Sequence, residues 1–287
     1  MSRHVEGRVE LRVSDEIVPP EGLPDLMRLP EILRNLPGVQ SRAAGRMTVW
    51  RWEPAWVDGG RLAARRFVVR QFAHGGLLGS LWGTAFLSRR PMLGELGLAL
   101  HALERGVPTC RPVALRFQRA IGPVFRAHYV TEEILGAVNL LELCEREAPG
   151  DGVSPGLRQA ISRAVAGAVA AMHGAGIRHG DLNLKNILVT PEADPPRAFV
   201  IDFKKARAQN CVGLREGLRN LLRLDRSVVK WPASRRAITL SDRLRTLRDY
   251  LRAVEGAECD WKMIARSLRT RHRMHALSRK GREGDNE

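Results

Sequence analysis

The sequence predicts an α+β chain in two lobes, a small antiparallel sheet followed by a mainly helical half. Three observations predict it. Strand-like segments rich in Val, Phe and Trp crowd the first half, and a long Ala/Val/Ile-rich helix opens the second at Ser154. An apolar hairpin with polar groups at both open ends, Asn186 and Asp202, then follows that helix. At 287 residues the chain is longer than an average domain, so two lobes around a cleft are within its means. With 44% hydrophobic and 27% charged residues, the body of the chain is globular and not disordered.

Residues 1–40 carry Pro19, Pro20, Pro24, Pro30 and Pro37 and read as an irregular or short-helical extension, not as part of a packed sheet. The first lobe is expected over residues 41–134. Within it, 47–51 and 64–72 run apolar around Asp58-Gly59-Gly60 and predict a hairpin, while Gly75-Gly76 reads as a turn. Leu93, Leu96, Leu100 and Leu103 keep a helical spacing over 92–105, ended by Gly106, and that helix carries Glu95. Two more strands are expected over 112–117 and 125–131. The pattern changes at Glu132-Glu133-Ile134-Leu135-Gly136, which marks the lobe boundary.

The second lobe is expected over residues 135–275. Ser154-Pro155 is a helix start, a capping side chain followed by proline at the first helical position. Small residues on several sides predict that this helix is buried all round. After Gly174-Ala175-Gly176 comes a tight loop over 177–186, then strands over 187–189 and 198–201 joined by a turn with Pro191, Pro195 and Pro196. Antiparallel pairing of these strands brings the Asn186 amide and the Asp202 carboxylate together, with Asp181 five residues before Asn186.

Phosphoryl transfer from ATP needs metal-bound phosphates, an in-line hydroxyl and a group to accept its proton. Hard oxygen donors suit Mg2+, so Asp202 and Asn186 are the metal-ligand candidates and Asp181 is the candidate base. Asn183 and Lys185 line the same loop and are candidates to touch transferred or substrate phosphate.

The string His179-Gly180-Asp181-Leu182-Asn183-Leu184-Lys185-Asn186, then an apolar strand pair, then Asp202-Phe203, resembles the protein-kinase superfamily. That resemblance implies a protein-kinase-like bilobal fold with ATP and Mg2+ as cofactors. It also implies a strand cation paired with a helix carboxylate to grip phosphates, for which Arg70 and Glu95 are the candidates. Arginine in place of the usual lysine can still clamp phosphate through two nitrogens. Glu132 and Ile134, at the lobe connection, are the other nucleotide-binding candidates. Asn183 stands where protein kinases carry lysine, and Lys204 stands where their metal loop has glycine. The asparagine looks more like the small-molecule and sugar kinases of the superfamily, and both departures speak against a protein kinase.

Further segments resemble the bacterial lipopolysaccharide kinases of the Kdo (3-deoxy-D-manno-octulosonic acid) kinase type. They are Val69-Arg70-Gln71-Phe72, Arg111-Pro112-Val113-Ala114, Thr131-Glu132-Glu133-Ile134, the loop and hairpin above, and 220–230. This resemblance, over about residues 46–230, implies phosphorylation of a sugar hydroxyl on a lipid A precursor or inner core. The partner expected is therefore a glycolipid, met at the cytoplasmic face of the inner membrane, with no obligate protein partner evident. Two alternatives stay open: a protein or other small-molecule kinase, and a pseudokinase or basic binding module, for which Arg70, Lys204 and the glycine-poor segment 41–46 speak.

A net charge of +16 implies an anionic partner, although part of it reflects an Arg- and Ala-rich composition. Arg215, Arg219, Arg223 and Arg226 recur at helical spacing opposite leucines, as a solvated face or as a glycolipid contact. Lys262 to Arg282 holds eight basic residues and no acid, which suits an anionic membrane surface. No aromatic ladder accompanies it, so nucleic acid is the weaker reading. Residues 276–287 are expected to be a disordered polar tail. The first ten residues have no apolar run, no stretch is long enough to span a membrane, and the four cysteines form no CxxC pair. A cytoplasmic chain, peripheral on the membrane, is the expectation.

Overall fold

A computed structural model describes residues 1–36, 38–40, 48–55, 65–74, 83–146, 154–255 and 262–264. The turn segments 58–60 and 75–76, the glycine-poor segment 41–46, Trp56, Trp82, Cys259 and the basic run and tail from 265 onward lie outside the described residues.

Among the described residues the first lobe is a seven-stranded antiparallel sheet. Its strands are β1 (Ser2–Glu6), β2 (Val9–Val13), β3 (Gly38–Gln40), β4 (Thr48–Trp52), β5 (Phe67–Gln71), β6 (Pro112–Arg119) and β7 (Phe125–Glu132), in the order β1-β2-β6-β7-β5-β4-β3. This corrects the reading of residues 1–40 as lying outside the packed sheet, while its short helices are present. β2 runs along β6 from Val9↔Gln118 to Val13↔Ala114, and its Leu11 and Val13 are buried. The prolines begin only at residue 19, so residues 2–13 keep every N–H that pairing needs. Pro24 and Pro30 instead sit in the first turns of α1 (Leu23–Met27) and α2 (Leu29–Arg34), where the missing N–H has no helical partner to lose.

Both faces of the sheet are covered. Leu26, Leu29 and Leu33 from α1 and α2 pack with Leu11, Phe67, Val69 and Val130 on one side. On the other, α3 (Arg90–Glu104) sets Met92 and Leu96 against Leu115, Phe117, Phe125 and Tyr129. Leucine spacing alone misplaces the inner face of α3. The buried stripe is Met92, Glu95, Leu96, Ala99 and Ala102, and Leu93 is exposed. Methionine and alanine form most of this stripe, and a carboxylate sits within it. The wholly buried Arg116 clamps α1 to the sheet, donating to the Met27 carbonyl through Nε (3.2 Å) and Nη2 (2.8 Å). Those are the carbonyl-rich end of α1 and a cation, the favourable pairing.

The second lobe holds α4 (Leu140–Arg146), α5 (Pro155–Gly174), α6 (Leu214–Lys230), α7 (Pro232–Ala237) and α8 (Leu240–Glu255). Its strands are β8 (Val138–Asn139), β10 (Ile187–Thr190) and β11 (Arg197–Val200) in one sheet, and β9 (Ile177–Arg178) paired with β12 (Arg207–Ala208). Ser154 caps α5, its hydroxyl accepting the Leu157 N–H at 3.2 Å. α5 is not buried all round. Ile161, Val165, Val169 and Met172 face the core, while Gly156, Gln159, Arg163, Gly167 and Gly174 form an exposed stripe. Three of those five are glycine, which hides the outward face from a hydropathy reading. Ala99, Ala102 and Val107 join this core from the α3 side, so one apolar body crosses between the lobes. No helix among the described residues is long and apolar enough to cross a membrane.

Candidate active site

The loop between β9 and β10 is built around a buried, neutral histidine. His179 Nδ1 accepts the Asp181 N–H at 3.1 Å, so the ring proton sits on Nε2, which donates to the Ile201 carbonyl at 3.1 Å. Burial lowers its pKa against the backbone bond to Ile201. One ring thus ties the segment carrying Asp181 to the strand end carrying Asp202. Asn183 Nδ2 (2.8 Å) and Asn186 Nδ2 (2.9 Å) both donate to the Asp181 carbonyl. Asn183 Oδ1 accepts the Lys185 N–H at 2.9 Å, so both ends of that side chain are engaged inside the loop.

The hairpin places the second acid. Ile187 pairs with Val200, and the Ile201 N–H donates to the Asn186 carbonyl at 3.0 Å, so Asn186 and Asp202 flank the same open end. Asp202 has left-handed backbone, φ 67°, a conformation side-chain-bearing residues seldom adopt. Its carboxylate accepts the Lys204 N–H at 3.4 Å, and Phe203 is buried 5.9 Å from the His179 ring. Asp181 and Asp202 keep side-chain exposures of 44% and 40%, open to a substrate.

From the first lobe, Arg70 on β5 donates to Glu95 on α3 at 2.5 Å and lies 3.9 Å from Asp202. Its guanidinium stacks over Phe72 and Tyr129. Burial works against its charge, but Glu95 and Asp202 outweigh it and raise its pKa. Glu132 is engaged by Arg65 at 2.6 Å and approached by Arg111 at 3.8 Å. The Ile134 carbonyl accepts the Ala137 N–H at 3.1 Å, while the Ile134 N–H meets no acceptor among the described residues.

Lys185 is not placed as its sequence position implies. Its ammonium sits 4.6 Å from the Trp231 ring centroid, and burial, then Lys230, lower its pKa. Among the described residues, the ammonium that meets Asp181 belongs to Lys205, at 3.1 Å. The sequence reading assigns no role to two polar residues of α6. Asn220 Oδ1 accepts the His179 N–H (3.0 Å) and contacts His173 Nε2 (3.2 Å), and Ser227 Oγ accepts the Leu184 N–H (3.1 Å). Two polar residues seven apart on the apolar face of α6 are the signal that could have found them.

Asp202 and Asn186 offer two hard oxygen donors at one spot, and Asn186 uses its amide nitrogen elsewhere, leaving its oxygen available. Among the described residues no three His, Cys, Asp or Glu side chains gather as a metal cage. That donor set fits Mg2+, which keeps waters and substrate phosphates as its other ligands.

A sheet lobe over a helical lobe, with carboxylates gathered where the two meet, is the architecture of the protein-kinase-like phosphotransferases. Residues 63–250 match the model of the lipopolysaccharide kinase (Kdo/WaaP) family, and the chain belongs to that family. The 3-deoxy-D-manno-octulosonic acid kinase of Vibrio cholerae serotype O1 is 31% identical over 206 residues, 70% of this chain and 78% of that protein. The enzyme of the same name from Vibrio parahaemolyticus is 30% identical over 196 residues, covering 67% and 73%. A solved structure, WaaP in complex with acyl carrier protein, shares the fold with a TM-score of 0.56 at 23% identity, over 96% of this chain and 99% of that one.

Proposed function

We propose that this kinase transfers the γ-phosphoryl group of ATP to a hydroxyl of Kdo or another inner-core sugar on a lipid A precursor. The observation that carries it is the single hydrogen-bond network around the buried His179 that presents Asp181, Asn186 and Asp202 together. Asp181 takes the proton of the attacking hydroxyl, which it reaches from a loop with its carbonyl locked by two amides. Asp202 and Asn186 hold Mg2+, which when bound offsets the negative charge of the phosphates. The Arg70 fork, oriented by Glu95, faces the α and β phosphates. Because its carboxylate is engaged by arginines, Glu132 acts through its main chain, and Ile134 offers its free N–H to the adenine.

The acceptor side is basic. Arg215, Arg219, Arg223 and Arg226 are all exposed on α6, and Arg223 donates to the Gly180 carbonyl beside Asp181. This stripe suits the carboxylates and phosphates of an anionic glycolipid. An ATP-using enzyme with a bilayer-held acceptor works as a peripheral protein on the cytoplasmic face of the inner membrane. The purified chain, incubated with ATP, Mg2+ and Kdo-lipid A, is expected to add one phosphate detectable by mass spectrometry. ATP binding without transfer to any glycolipid or core sugar refutes this reading. Transfer to a peptide or a free metabolite in preference points to another acceptor class.

A further inference from the structure

Protein kinases carry a lysine two residues after the loop aspartate, and this chain has Asn183 there. Asn183 cannot replace its charge, and both ends of its side chain are held within the loop. The other cations nearby are engaged too: Lys185 over Trp231, Lys204 with the Ala73 carbonyl at 3.3 Å, Arg223 with the Gly180 carbonyl and Arg70 with Glu95. Lys205 alone among the described cations reaches Asp181, at 3.1 Å.

Its approach depends on Gly180. A Cβ at position 180 would fall on the Lys205 carbonyl oxygen, so the 203–205 turn lies flush against the loop only because residue 180 is glycine. On its other side the same turn is tied to the first lobe through Lys204. Glycine before Asp181, asparagine at 183 and lysine at 205 therefore form one arrangement.

We propose that Lys205 is a catalytic residue, placing on the metal-binding turn the positive charge that protein kinases place in the catalytic loop. Resting on the kinase reading above, its ammonium lies between the Asp181 carboxylate and the transferred phosphoryl group. There it orients the carboxylate and neutralises charge on the phosphoryl oxygens as they move. The sugar oxygen forms its bond to γ-phosphorus while the bond to the bridging oxygen breaks. ADP leaves with that electron pair, the hydroxyl proton passes to Asp181, and Lys205 keeps all its protons.

The ion pair is open to solvent, with side-chain exposures of 66% and 44%, and such pairs add little to stability. A structural role would thus move the melting temperature, and a catalytic one kcat. With ATP, Mg2+ and micellar Kdo-lipid A, Lys205→Ala is expected to lower kcat about 100- to 1000-fold, as removal of a positioned transition-state charge does. KM for ATP should stay within about threefold, the melting temperature should be unchanged, and Lys205→Arg should keep roughly a tenth of wild-type kcat or more. Wild-type kcat in Lys205→Ala overturns the proposal, and so does equal impairment of the alanine and arginine variants, which would deny any role to charge. No transfer by the wild-type chain to any acceptor overturns the kinase reading itself, and this proposal with it.

Discussion

The loop that carries Asp181 and the first-lobe wall that carries Arg70 are held by different physics. The backbone around Asp181 is held by neutral hydrogen bonds through His179, Asn220 and Ser227, and only its exposed carboxylate meets a charge, that of Lys205. On the first-lobe wall the contacts are ion pairs between distant segments: Arg70–Glu95, Arg65–Glu132 and Arg51–Glu133. A satisfied neutral network fixes geometry and ignores salt. Ion pairs hold only while both partners are present and, at the exposed Arg51 and the half-buried Arg65, are screened by salt. The loop is therefore set in advance, and the proposed grip on phosphate depends on a buried charge staying matched.

Substitutions can break this contrast at both ends. Asp181→Ala and Asp202→Ala should each lower kcat about 1000-fold or more with an unchanged melting temperature, because neither carboxylate holds the network together. Arg70→Ala leaves Glu95, 3% exposed, as an unmatched buried charge and should destabilise the fold by about 3 to 5 kcal/mol in urea unfolding, with Arg70→Lys recovering much of it. Asn220→Ala removes the acceptor of the His179 N–H and of His173, and should cost about 2 to 3 kcal/mol together with activity. If only the melt changed, the loop would not need its anchor.

The smallest effect is a proton. Burial, then Arg116 and Arg126, lower the His128 pKa from 6.5 to about 4. Between those values the unfolded chain binds a proton that the folded chain does not, so stability rises with pH across the window and is complete above about 6.5. At pH 5.5 the loss should be roughly 1 kcal/mol, and His128→Gln should flatten the profile of unfolding midpoint against pH. A slope kept in that variant would place the titration in the second lobe, at His173 or His179, whose pKa values burial also lowers.

Much of the site is legible in the sequence because its pieces are close in the chain. Asn186 and Asp202 meet through a hairpin whose strands are separated by a short turn, and period-two pairing needs no distant partner. Ser154-Pro155 announces α5 for the same local reason. The prolines over 19–37 do mark short helices, but strands β1 and β2 are not legible because their signal is short and the partner of β2, β6, lies about a hundred residues away. The placement of the Lys185 ammonium over Trp231 is not legible in the sequence, because that ring belongs to another element.

By itself, then, the sequence determined the loop, the hairpin and the acids they carry, since backbone pairing and capping act over a few residues. Only the tertiary structure decided which charges meet. Arg70 with Glu95, Lys205 with Asp181 and Asn220 with two histidines each join elements whose approach is set by packing of the apolar core, and no spacing along the chain encodes that distance.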